Sequence, residues 1–155
     1  MSGEVVVSPM DGEIVPLEEV NDDVFSTKMM GDGIAILPED GKVYAPVTGE
    51  VTVTMDSGHA VGLTSENGGE VLIHVGLDTV ELAGEGFVSH VEKGDKVTAG
   101  DLLIEADVDF IKEKGYDPTT IIVITNTTEY AGIKTTDNTS ISHSDELLEL
   151  IPTTN

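Results

Sequence analysis

The chain has 155 residues, 39% of them hydrophobic, with 30 acidic side chains, seven lysines, no arginine and no cysteine, and a formal net charge of -23. That length closes one core, so a single domain over 1–155 is expected. The lack of cysteine removes disulfides and thiolate metal sites, and the charge argues against nucleic acid or an anionic membrane surface as partner, leaving a basic protein. No apolar stretch reaches membrane-spanning length and the start carries no basic leader, so the cytoplasm is the expected location.

In chain order, short apolar runs alternate with Gly, Pro and Asp punctuation: EVVV (4–7), GEIVPL (12–17), GIAIL (33–37), GEVTVTM (49–55), HAVGLTS (59–65), EVLIHV (70–75), DLLIEAD (101–107) and TTIIVITN (119–126). This is the grammar of strands and turns and predicts an antiparallel sandwich or barrel. One short helix is predicted over 107–115, with Val108, Ile111 and Lys112 on one side, Asp109 in the first turn and Gly115 as terminator. VSPMDGEIV (7–15) and YAPVTGEVT (44–52) align Pro9 with Pro46 and Gly12 with Gly49 at a common offset of 37, as a duplicated hairpin unit would. The polar tail at 152–155 is expected to fray.

His74 sits inside the run EVLIHV, and His59 opens the run before it. Asn67-Gly68 between the two runs favours a two-residue hairpin turn, which sets His59 diagonally across from His74; a four-residue loop sets them directly opposite. An odd-length loop would send the rings to opposite faces. From Ser57 to Thr64, and from Val71 to Leu77, no carboxylate occurs in a chain otherwise crowded with them. Such a clearing suits a phosphoryl group, which two imidazoles and backbone amides stabilise and like charges repel. A neutral imidazole can attack phosphorus through one ring nitrogen while the other donates to a carbonyl, and a second ring can hold an equatorial oxygen. No Walker loop and no arginine are present to serve a nucleotide-dependent kinase.

VLIHVGLDTVEL (71–82) resembles the signature around the phosphorylated histidine of glucose-type IIA proteins and domains of the bacterial sugar phosphotransferase system. FSTKMMGDGIAILP, APVTGEV, GHAVGL and GEGFVSHVEKGDKVTAGDLLIEAD follow the same family's order and spacing, from about Val5 to Ile151. The resemblance implies an antiparallel β-sandwich with duplicated hairpin units, a barrel-sandwich hybrid. It implies a IIA phosphocarrier in sugar uptake, an enzyme of the transferase class with a phosphohistidine intermediate: His74 accepts a phosphoryl group from the carrier protein HPr and passes it to a cysteine of a permease IIB domain. By position, His59 assists transfer and Ser57 supports the histidine pair. Asp78 and Thr79 match the family's Asp-Thr, and Phe25 with Val80 its apolar docking surface. Core packing competes for Phe25 and Val80, turn capping competes for Asp78, and Lys28 is either a solvated residue or a fold contact. His90 and His143 match nothing in the pattern and read as surface residues. The membrane is approached only through the permease, and Met1 favours a free-standing chain.

No cofactor is required on this reading, although the resemblance lets zinc bridge His59 and His74 with a partner's carboxylate. A regulatory module that binds permeases or kinases when unphosphorylated is the alternative function. A zinc peptidase would use the His-x-x-x-Asp spacing of His74 and Asp78, but the His-x-His it also needs is missing. A biotinyl-type carrier domain is only weakly suggested by TKMM, whose lysine is not flanked on both sides by methionine.

Overall fold

The structure, a computed structural model, describes residues 4–153. Fourteen strands are found among the described residues: β1 (Glu4–Val7), β2 (Gly12–Pro16), β3 (Asp32–Pro38), β4 (Lys42–Tyr44), β5 (Gly49–Thr54), β6 (Ala60–Ser65), β7 (Glu70–Val75), β8 (Phe87–Ser89), β9 (Lys96–Val97), β10 (Leu102–Ala106), β11 (Thr120–Ile124), β12 (Tyr130–Thr135), β13 (Ser140–Ile141) and β14 (Glu146–Pro152). They form three antiparallel sheets, ordered β13-β2-β3-β11-β7-β6-β5-β9, β1-β14-β12 and β4-β10-β8.

All eight predicted runs are strands. Two of the remaining strands leave no pattern in the sequence for identifiable reasons. β13 is two residues long, too short for any period to show. β14 reads Glu-Leu-Leu-Glu-Leu, and because it buries Leu147 and Leu148 in succession it shows no two-residue alternation. The predicted helix is α2 (Val108–Glu113), whose Asp107 side chain accepts the Phe110 N–H at 3.0 Å and which ends before Gly115 at φ +89°. A second, one-turn helix, α1 (Asp23–Ser26), corrects the expectation of a single helix; the Asp22 carboxylate caps it through the Val24 N–H. Pro152 is ordered opposite Tyr130 at the end of β14, contrary to the expected fraying, and residues 154 and 155 lie outside the described ones.

The main core packs the inner faces of the sheets around Met10, Ile36, Leu63, Ile73, Leu103, Ile104, Ile122 and Leu147. A smaller cluster holds Leu17, Val20, Phe25, Ala35, Leu77, Ile121 and Val123. β11 serves both clusters because alternate residues face opposite ways, so its five positions are all buried. His74 lies opposite Ile121 and therefore shares the face of the smaller cluster.

The sequence repeat is a structural duplication wider than the two matching windows. The Val7 N–H donates to the Pro46 carbonyl at 3.1 Å, and the Tyr44 N–H returns the bond to Pro9 at 2.7 Å. Gly12 pairs with Ile141 and Val6 with Leu148 in one half; Gly49 pairs with Val97 and Val43 with Ile104 in the other. Ile73 lies directly across from Ile122 where β7 meets β11, at the centre of this two-fold arrangement.

The register of the β6–β7 hairpin corrects the predicted even-length loops. Thr64 pairs with Glu70, and Ala60, not His59 or Val61, faces His74. The loop spans three residues, 66–68, between the Ser65 N–H and the Gly69 carbonyl, with Gly68 at φ +97°. A three-residue loop with glycine in the left-handed region is the common alternative to the two-residue Asn-Gly turn.

Candidate functional site

Strict alternation in that register would place the two histidine rings on opposite faces, yet they meet. His59 lies in the bend before β6, just after Gly58 at φ +72°, so its ring escapes the alternation of the strand. The ring centroids stand 4.8 Å apart, edge to face at 80°. The backbone still pairs: the Val75 N–H donates to the His59 carbonyl at 2.8 Å.

Each ring has one nitrogen engaged. His74 Nδ1 lies 2.7 Å from the Gly76 carbonyl oxygen. A carbonyl only accepts, so Nδ1 carries the proton and the lone pair of the neutral ring is at Nε2. His59 Nδ1 lies 2.5 Å from Ser57 Oγ, a hydroxyl able to donate or accept, which leaves His59 Nε2 free to take either role toward a neighbour. Burial pushes His59 down to about 4, with the adjacent His74 charge adding to the effect. His74 is also lowered by burial, while the Gly76 hydrogen bond and the charges of Asp22 and Asp78 pull it back up. Both rings are therefore neutral at pH 7, and His74 presents an unprotonated Nε2.

The walls are apolar and the rim is acidic. The Phe25 ring lies 5.1 Å from His74 and the Phe87 ring 6.4 Å from His59. Phe25 is buried in the smaller cluster, which assigns it to packing beside His74 and leaves it little surface for a partner. Val80 is 54% exposed and open to contact, as are Val24 and Met29 close to Phe25 in the chain. Thr79 is fully buried and its hydroxyl donates to the Val75 carbonyl at 2.5 Å, so it braces the turn after β7 and faces no hollow. Asp78 is exposed in the left-handed region at φ 60° and makes no side-chain cap bond, so turn capping does not account for it.

The strands themselves are free of carboxylates near the rings, as expected, but the hollow is not. Asp22 and Asp78 act on His74 from neighbouring turns. Asp22 went unnoticed in the sequence because its link to His74 runs through the fold; its one local signal is a helix cap three residues before Phe25. Lys28 is a fold contact, 3.1 Å from Glu18 and 3.4 Å from Asp32. His90 pairs with Glu105 at 3.0 Å; His143 pairs with Asp11 at 2.9 Å and stacks on Tyr44. Both are surface contacts away from the histidine pair. Among the described residues no group of three or more His, Asp or Glu side chains gathers as a metal site, and no helix is long and apolar enough to cross a membrane.

A lone pair at His74 Nε2 with a second imidazole beside it suits attack on an electrophile such as phosphorus and support of the oxygens around it. Comparison with known proteins agrees with such chemistry. The chain is 49% identical over 130 residues, 84% of its length, to a β-glucoside-specific EIIBCA component of the phosphotransferase system from Bacillus subtilis. It is 44% identical over 95% of its length to the component of the same name from Halalkalibacterium halodurans. The chain spans 21% and 23% of the lengths of these relatives. The solved glucose permease IIA from Mycoplasma capricolum superposes with a TM-score of 0.90 at 34% identity, covering 96% of each chain. A family profile described as phosphoenolpyruvate-dependent sugar phosphotransferase system, EIIA 1, matches residues 4–130, and the chain belongs to that family.

Proposed function

We propose that the chain is a phosphocarrier that takes a phosphoryl group from phosphorylated HPr onto His74 Nε2 and hands it to a cysteine of a IIB domain in a sugar permease. The observation that carries this reading is the Nδ1 to Gly76 carbonyl bond at 2.7 Å, which leaves the nucleophilic lone pair at Nε2 of a neutral ring. In acceptance, a P–N bond forms at Nε2 as the donor's P–N bond breaks, and the released electron pair stays on the donor ring nitrogen. A bond of one kind replaces another of the same kind, so the step needs positioning and charge stabilisation more than driving force. In donation the P–N bond breaks, its electron pair returns to Nε2, and a P–S bond forms with the acceptor thiolate.

His59 steadies the phosphoryl oxygens from its free Nε2, with the Ser57 hydroxyl as donor to Nδ1 so that Nε2 carries the proton. Asp22 and Asp78 attract a basic partner surface to the rim, and exposed Val24, Met29 and Val80 supply its apolar contact. The B and C parts named together with A in the relatives support a IIB domain as acceptor. This role places the chain in the cytoplasm. It requires no cofactor; a zinc ion held between this site and a partner would find two imidazoles here and need its other ligands from the partner.

The test is incubation with Enzyme I, HPr and labelled phosphoenolpyruvate. The wild-type chain takes up acid-labile label and His74→Ala takes up none; label surviving in His74→Ala refutes the assignment. His59→Gln is labelled but passes phosphate onward at least about tenfold more slowly, and normal onward transfer refutes the role given to His59.

A further inference from the structure

The Gly76 carbonyl that fixes the proton of His74 belongs to a peptide with no side chain of its own to hold it. Gly76 stands at φ +82°, and a glycine in that region can turn its peptide at little cost. The peptide is held from a corner remote in sequence, Asp117-Pro118-Thr119. The Leu77 N–H, in the same peptide unit as the Gly76 carbonyl, donates to the Asp117 carbonyl at 2.9 Å, and the Gly76 N–H donates to the Thr119 carbonyl at 3.1 Å. Aligned in this way, His74 Nδ1–H, the 76–77 peptide and the Asp117 carbonyl form one chain of hydrogen bonds in which each polarises the next.

Three features shape the corner itself. Pro118 fixes its own φ and restricts Asp117 to extended geometry. Asp117 Oδ1 accepts both the Thr119 N–H at 2.9 Å and the Thr119 hydroxyl at 2.6 Å, an Asx-turn that sets the angle between the two carbonyls. Pro118 and Thr119 are buried, while Asp117 is exposed, so its carboxylate faces solvent apart from these two bonds. A carboxylate at the surface that spends both bonds on one residue of a buried corner acts on that corner's shape.

Resting on the reading of His74 as acceptor, we propose that Asp117 is a positioning residue for phosphoryl acceptance: its side chain holds the 117–119 corner, whose two carbonyls hold the peptides on either side of Gly76, and the 76–77 carbonyl so fixed keeps the His74 proton on Nδ1. Loss of the Asp117 side chain lets the corner relax and the peptide turn, and the imidazole then samples the tautomer whose lone pair is on the wrong nitrogen.

The experiment measures, on the full chain, single-turnover acceptance from phosphorylated HPr and the ring 15N–1H correlations of His74, which report which nitrogen bears the proton. Asp117→Ala is expected to slow acceptance about tenfold and to replace a single Nδ1–H signature by a mixture of tautomers. Asp117→Asn, whose amide oxygen can still accept both bonds, is expected to restore rate and signature. Thr119→Val, which removes only the hydroxyl bond, gives a smaller shift of the same kind and supplies the test if Asp117→Ala folds poorly. An unchanged rate in Asp117→Ala, a slowed rate with the wild-type tautomer, or an Asp117→Asn protein as impaired as the alanine variant overturns the proposal. A wild-type chain that takes no phosphate at all, while its tautomer still responds to Asp117→Ala, overturns the acceptor reading alone.

Discussion

The two halves of the duplication share a frame and part company where β6 and β7 of one and β3 and β11 of the other end. In one half β6 and β7 set Ala60 across from His74, with His59 bonded to Val75; in the other β3 and β11 set Gly33 across from Val123, with Asp32 across from Ile124. Each half even reaches this point through a glycine at positive φ, Gly58 at +72° and Gly31 at +136°. Where the first half places two neutral imidazoles, the second has a fully buried valine and an aspartate already satisfied by the Gly33 N–H at 2.8 Å and by Lys28 at 3.4 Å. The backbone pairing is indifferent to which end carries chemistry. Reactivity arises where the ring lone pair is left unpaired, and the other end is silent because its polar groups are spent on one another.

The comparison breaks most sharply at Gly76, whose counterpart in the other half is Thr125. A Cβ on Gly76 would meet Thr79 Cγ2 at 2.4 Å and the Asp117 carbonyl oxygen at 3.0 Å, at a φ that side chains disfavour. Gly76→Ala is expected to cost about 2–4 kcal/mol in urea unfolding and to lose phosphate acceptance, against less than about 1 kcal/mol for Thr125→Ala. Equal costs would mean that the two ends are under the same constraint.

Acid sharpens the contrast next. His59 titrates near 4 in the folded chain and in the ordinary imidazole range once unfolded, so between those values the unfolded state binds more protons. Stability from a neutral His59 is present in full above about pH 6.5 and declines toward pH 4, by about 2–3 kcal/mol. Unfolding measured from pH 7 to 4 should show that decline in the wild type and a shallower one in His59→Gln. The smallest effect belongs to the silent end: Lys28→Met removes exposed ion pairs to Glu18 and Asp32, changes stability by no more than about 1 kcal/mol and leaves labelling intact. A large loss of labelling would show the two ends to be coupled.

Much of this molecule was legible from local patterns. The eight apolar runs, the capped helix at 108–113 and the proline–glycine repeat depend on neighbours within a few residues, and all three are present. An even-length loop would also bring His59 to His74, but the rings meet by another route, through a bend, in a register whose parity sends strand neighbours to opposite faces. Hairpin register turns on one residue of loop length, which Asn67-Gly68 leaves open. Asp22 beside His74 and the 117–119 corner were not legible at all, since each depends on contacts between segments far apart in the chain, and the choice between packing and docking for Phe25 stayed open until the smaller cluster closed over its ring.

By itself the sequence determined which segments extend, where glycine lets the chain turn, and that two imidazoles lie on successive segments without acids, because periodicity and residue chemistry are local properties. Only the tertiary structure decided which nitrogen of His74 keeps its lone pair and which acids reach the ring. Hydrogen bonds and charges act through space, and the partners that set them enter the site from other parts of the fold.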